Sequence, residues 1–255
     1  MSPIEGAEGR TVKAYALIAE TFLRKLSIRI VHVVWLVSYA LMFLIPFGPS
    51  TWQWGGFLFA WSGCVLPLAL SAGIFGDDIA SGRIRLIVTE PIRPVELYVY
   101  RFLGLSLQAA VHLLAAGALI LLLHRLTGRG GVAHFAVWLL ASWSVFNTWA
   151  ALSTSVSVLV NREHNATLLV LATIAAVFPL YVLLLFFEDS TGTKIYHEIV
   201  RYAGPPVEIL VRMGRGKCSL PGSVASVAHS LLLTVLYGAA GIALLGRREF
   251  KYAAD

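Results

Sequence analysis

The chain has 255 residues, 58% of them hydrophobic and 13% charged, with a mean hydropathy of +0.76 and a formal net charge of +6. A water-soluble domain carries roughly a quarter of its residues as charges, so the composition excludes an ordinary soluble enzyme and points to a membrane protein. The apolar runs are continuous and do not alternate, which excludes an outer-membrane barrel.

Residues 1–29 read as a cytoplasmic tail followed by an amphipathic helix. Val12, Tyr15, Ala19, Phe22 and Leu26 recur at three- and four-residue steps, while Lys13, Glu20, Arg24, Lys25 and Arg29 occupy much of the remaining surface. Glu20 and Arg24 form a favourable i,i+4 pair, and such a helix is expected to lie in the inner headgroup layer with its basic residues against anionic lipid. Glu5, Glu8 and Glu20 mix with basic residues here without a separate apolar core, so no cleavable signal peptide is expected.

Six spans of roughly 20 apolar residues follow, each long enough to cross the ~30 Å hydrocarbon core as a helix. They run approximately over 30–47, 52–75, 98–123, 134–160, 166–187 and 224–245. The spanning domain is 30–246, and 247–255 is a cytoplasmic tail. Gly48-Pro49-Ser50-Thr51 makes a tight outer turn flanked by Trp52 and Trp54, and 127–131 and 161–165 read as short outer and inner turns. Residues 188–223 form the largest outer element, read as two surface helices over the outer leaflet or a cavity, with re-entrant helices as the alternative. Most of the 20 lysines and arginines fall inside when both termini are cytoplasmic, and five of those outside sit in that one loop. This bias sets orientation and accounts for the positive charge without nucleic acid. Cys64 and Cys218 lie in a span and an outer loop, so no disulfide framework or thiolate metal site is implied.

The inner connection over 76–97 carries most of the information. Asp77, Asp78, Arg83, Arg85, Glu90, Arg93 and Glu96 are charged, with Arg101 just beyond, yet Ile84, Leu86, Ile87 and Val88 interrupt them. A loop that only crossed water would not need that apolar cluster. Gly82 permits a sharp turn before a short helix over 83–88. Pro91 and Pro94 end it, and Pro94 suits the first turn of the next helix, with Glu96 near its positive end.

This pattern resembles the type 2 ATP-binding-cassette permeases, the membrane subunits of many bacterial exporters. The family's acidic residue, glycine four residues on, short apolar stretch, proline–aliphatic–basic triplet and basic residue opening the third span fall on Asp78, Gly82, 84–88, Pro91-Ile92-Arg93 and Arg101. Asp78 stands where glutamate is usual, Arg83 where a small residue is usual, and Arg101 where lysine is frequent. The layout of amphipathic helix, six spans and a larger outer element before the last span is similar too. The resemblance implies an all-α polytopic fold in which the short cytoplasmic helix between spans 2 and 3 is a coupling helix. It further implies two cytoplasmic ATPase subunits that bind ATP and Mg, and a second permease copy or a related permease beside this one. Asp78, Gly82, Arg83, Arg85, Glu90, Pro91 and Arg93 would be the ATPase-interface and hinge residues, in the inner membrane of a bacterium.

No motor is expected in the chain itself. Its nearest approach to a phosphate loop, near Gly216-Lys217, has Val211 where the first glycine belongs and Cys218 where Ser or Thr belongs. No Asp, Glu, Lys or Arg occurs over 102–123, 134–160, 166–187 or 224–245, which weighs against the competing class of ion-coupled carrier or channel. His112, His134, His229, Gln108 and Asn147 remain there, read as partners in helix–helix hydrogen bonds. Ser142, Ser144, Asn147, Thr148, Ser153, Thr154, Ser155 and Ser157 read as close-packing residues, with an amphiphile's path as the alternative. A membrane-embedded enzyme is the third class, on a faint likeness of Ser62 and His229 to a rhomboid pair; it would need the base within hydrogen-bond reach of the nucleophile.

Overall fold

The structure, a computed structural model, describes residues 3–44, 66, 69–71, 73–80, 93–127, 135–160, 168, 191–203 and 220–247. Among these residues the regular elements are all helices: α1 (Pro3–Leu26), α2 (Arg29–Leu44), α3 (Gly76–Ala80), α4 (Pro94–Thr127), α5 (Phe135–Leu159), α6 (Thr191–Ala203) and α7 (Leu220–Arg247). Two helices, over Pro94–Leu122 and Pro221–Arg247, are long and apolar enough to cross a membrane. The short helix expected over 83–88, both cysteines, His134, most of the expected second span and nearly all of the fifth lie outside the described residues.

The N-terminal helix begins earlier than its pattern suggested and stops at Leu26. Ser27 causes the break: its hydroxyl donates to the Arg24 carbonyl at 2.6 Å, competing with the helical ladder, and α2 restarts at Arg29. The two faces of α1 differ sharply in burial. Leu17, Thr21 and Lys25 are buried, whereas Val12, Tyr15, Leu23 and Leu26 are exposed and continue into Ile30, Val33, Val34 and Val37 of α2. The apolar stripe therefore points away from the protein, and much of the polar side points into it. Arg24 and Lys25 are engaged or buried within the chain, which corrects the expectation that they meet lipid.

α4 is the common partner on which α1, α2, α5 and α7 all pack. Its start is capped as its sequence requires. Pro94 takes the first helical position, the Arg93 N–H donates to Glu96 Oε2 at 3.0 Å, and the Arg93 carbonyl accepts from Leu97 N–H at 3.0 Å. At 34 residues it is about 51 Å long by the 1.5 Å rise, well beyond the hydrocarbon thickness. α1 crosses it at Gly104, where an added Cβ would sit 2.7 Å from both the Ile18 carbonyl oxygen and Thr21 Cβ. Only glycine allows that approach.

The chain turns before α3 at Gly73, in the left-handed region at φ 69°; Gly82, where the sequence suggested a turn, lies outside the described residues. Ser157 of α5 accepts from the N–H groups of Phe75 and Gly76 at 3.2 and 3.3 Å, satisfying two buried donors at that turn. The apolar core gathers at the same end: Leu17, Leu70, Ile74, Phe75, Leu97, Tyr98, Leu105, Phe146, Val158 and Leu245 share one cluster, and Phe75 stacks on Tyr98 with ring centroids 5.6 Å apart.

α5 and α7 meet along the largest interface. Thr148 donates to the Ser230 carbonyl at 2.9 Å, which also accepts from the Thr234 hydroxyl at 2.8 Å. Farther along, Tyr98 Oη lies 3.0 Å from Ser155 Oγ, which donates to the Tyr237 carbonyl at 2.7 Å. Ser142, Ser144, Asn147, Thr148, Ser153, Thr154, Ser155 and Ser157 are all buried, the arrangement of close-packing residues.

The first of the two helices expected over 188–223 forms as α6, and the second lies outside the described residues. His229 bonds the Tyr202 carbonyl at 3.0 Å and the Tyr237 hydroxyl donates to the Ala203 carbonyl, so the C-terminal end of α6 lies alongside the middle of α7. The two bonds satisfy carbonyls that a helix C-terminus leaves open.

Candidate functional site, a buried charge cluster

Five charged side chains from α1, α3 and α4 converge at the buried end of the fold. Arg101, seven residues into α4, is fully buried, and its Nη2 lies 2.9 Å from Asp78 Oδ2. Its Nη1 donates to Thr21 Oγ1 at 2.9 Å and lies 3.2 Å from Glu20 Oε2. Thr21 can accept because its own hydroxyl proton goes to the Leu17 carbonyl at 2.8 Å.

Asp78 joins the two halves of the cluster. One carboxylate oxygen holds Arg101, and the other accepts from Arg24 Nη1 at 2.9 Å. Arg24 Nη2 reaches Asp77 Oδ2 at 2.8 Å. Exposure grades outward along this line: the side chains of Arg101 and Asp78 are 0% and 3% exposed, those of Asp77 and Arg24 23% and 28%. The chain of charges thus runs from the interior of α4, through α3, to the flank of α1.

Local sequence explains the convergence. Glu20, Thr21 and Arg24 share one face of α1 at helical spacing. Asp77 and Asp78 occupy the first turn of α3, where negative charge is favourable. Burying such a network is costly, and it persists only while every charge is paired. Arg101 Nε and Nη2 make no hydrogen bond, Nη2 meeting Asp78 through the ion pair alone. The cluster can hold α1, α3 and α4 together as a unit and pass force between them.

The residues singled out in the sequence distribute unevenly around this cluster. Asp78 turns inward, its charge engaged by two arginines of the same chain. Arg93 is exposed at the start of α4, open to contact from outside the chain. Gly82, Arg83, Arg85, Glu90 and Pro91 lie outside the described residues, as does Ser62. His229 serves as a helix–helix partner through Tyr202. Sequence reasoning missed Glu20, Arg24, Asp77 and Arg101 as members of one site. Their signal was charge retained on an amphipathic helix and an arginine placed within an apolar span, where such a residue calls for a partner.

No model of a known protein family matches the chain, and none of the curated proteins matches it.

Proposed function

We propose that this chain is the permease subunit of an ATP-driven exporter of the type 2 ATP-binding-cassette kind, a six-span protein of the bacterial inner membrane with both termini cytoplasmic. The observation that carries the reading is the charge cluster. It ties the start of the 76–97 segment, through Asp77 and Asp78, to α1 by Arg24 and to the long helix α4 by Arg101. A segment fastened in this way cannot be displaced without moving α1 and α4 with it.

In this mechanism two cytoplasmic ATPase subunits bind ATP and Mg and press on the coupling segment. Arg93, Arg83, Arg85, Glu90 and Pro91 meet the ATPase, while Asp78 works from inside the chain as the anchor of the segment. Gly82 absorbs the change in direction. The push reaches α4 at Arg101 and α1 at Arg24, and the permease and a second copy or related partner alternate between inward and outward openings. Two helices of sufficient length and apolarity, α4 and α7, support a spanning role. The buried hydroxyls of α5 support a tightly packed bundle.

The test is purification in mild detergent followed by reconstitution. An ATPase subunit should co-purify, and transport should require its ATP hydrolysis. Gly82→Pro and Arg93→Glu should each leave the protein in the membrane and hydrolysis active while transport is lost. Absence of a bound ATPase, or unchanged transport in both variants, would refute the proposal.

A further inference from the structure

A second buried polar cluster sits beside the bend between α1 and α2 and takes no part in the charge network. His32, at 9% exposure, and His112, at 4%, face each other with Nδ1 atoms 3.1 Å apart and ring centroids 5.1 Å apart. On its other edge, His32 Nε2 lies 2.9 Å from Gln108 Nε2 and 3.3 Å from the Lys25 carbonyl oxygen. Three helices therefore meet at one imidazole: α2 supplies it, α4 supplies His112 and Gln108, and the last turn of α1 supplies the carbonyl.

Counting hydrogens gives this cluster a property that a plain packing contact lacks. A nitrogen–nitrogen approach of 3.1 Å holds one proton. When both rings are neutral, one Nδ1–H donates to the other Nδ1. When one ring is protonated, the contact still holds one proton, now in a charge-assisted bond. When both rings are protonated, two N–H groups and two positive charges point at each other, and the contact cannot survive. The Gln108 amide can follow the first of these changes. In the orientation present its Oε1 has no hydrogen-bond partner, so turning the amide would offer an acceptor to a proton on His32 Nε2.

We propose that His32 and His112, with Gln108, form a proton-operated latch that fastens the start of α2 to α4, closed with up to one added proton and open with two. The latch needs no ATPase partner. The surrounding charges do not substitute for the latch. On α4 the nearest is Arg101, seven residues from Gln108 and held by Asp78 and Glu20. On α1 it is Lys25, buried on the turn whose carbonyl His32 reaches, with Arg24 one residue before it bound to Asp77 and Asp78. Neither α4 over 102–122 nor α5 carries a charged side chain. Opening would release α2 from α4 while the ionic cluster still holds α1, so the bend at Ser27 and Ile28 becomes the hinge.

The experiment uses the full chain in lipid nanodiscs with 15N-labelled histidine; the sequence has 7 histidines, so the spectrum is small. Signals are assigned with His32→Gln and His112→Asn, whose amides can replace one ring nitrogen without taking up a proton. The wild-type protein should show coupling through the hydrogen bond between the two Nδ1 atoms near neutral pH, and acidification should abolish it. Spin labels on α2 and α4 should report a longer separation over the same pH interval, and the change should vanish in His112→Asn. The latch is overturned if the coupling is absent near neutral pH. It is equally overturned if the coupling survives full protonation of both rings, or if the spin-label distance does not respond to acid. The wild-type coupling decides the question even if both variants fail to fold.

Discussion

α4 is gripped in two ways. On the α1 and α3 side the contact is ionic: Arg101, Asp78, Arg24, Asp77 and Glu20, with Thr21 accepting a further bond from Arg101. On the α5 and α7 side it is neutral, made of hydroxyls, carbonyls and close helix approach around Tyr98, Ser155 and Gly241, and it continues into the α5–α7 contact at Thr148. The materials differ in how they fail. A neutral seam loses one hydrogen bond at a time, each worth about 0.5–1.5 kcal/mol net. An ionic joint fails abruptly, because removing one partner leaves another charge buried and unpaired. The first suits a static scaffold. The second suits a joint that must move as one piece.

The largest effect should come from breaking the joint at its most buried point. Arg101→Ala leaves Asp78 and Glu20 without their shared cation and should cost about 3–5 kcal/mol, read as loss of the monodisperse peak in detergent and a lowered unfolding midpoint. Arg101→Lys should recover part of the loss, since an ammonium supplies the charge but cannot span Thr21 and Asp78 with the same fork.

Next is the crossing of α7 over Tyr98. A Cβ at Gly241 would collide with Ser155 Oγ and the Tyr98 ring, so Gly241→Val should destabilise by about 1–3 kcal/mol through overpacking. If it matches Arg101→Ala in severity, the contrast between joint and seam is lost.

Exchanging charges sharpens the comparison further. Arg24→Asp should be worse than Arg24→Ala, and the double variant Arg24→Asp with Asp77→Arg should regain part of the stability by restoring one pair. A double-mutant cycle on unfolding midpoints measures that interaction, and additive effects would show that the two side chains are not coupled.

The smallest change belongs to the seam. Thr148→Val should lower stability by about 0.5–1.5 kcal/mol, and the sum with Ser155→Ala should be near additive because the sites are two turns apart.

How far the sequence could be read depended on the range of the interactions. The helices of α4, α5 and α7 were legible from apolar runs and from Pro94 and Glu96, because those signals are local. The charges of the inner segment were legible as unusual, yet their direction was not. Asp78 looked like a surface residue for a partner, but it closes on Arg101 and Arg24, 23 and 54 residues away in sequence. The engagement of the polar face of α1 within the chain was missed for a related reason. A helical pattern gives two faces and does not say which one meets protein; Gly104, which lets α1 approach, is an ordinary glycine until the crossing is known. His32 escaped notice because its partners lie on another helix. The end of α6 beside the middle of α7 rests on two backbone carbonyls, which leave no trace in residue pattern.

On the exporter function proposed above, the cluster around Asp78 transmits work to the bundle. The most direct measurement is the ratio of transport to ATP hydrolysis for Asp78→Asn, an isosteric change that removes the charge, in proteoliposomes containing this chain and the ATPase subunit proposed for it. The account predicts that hydrolysis continues while transport per ATP falls sharply. An unchanged ratio in a fully incorporated variant would contradict it.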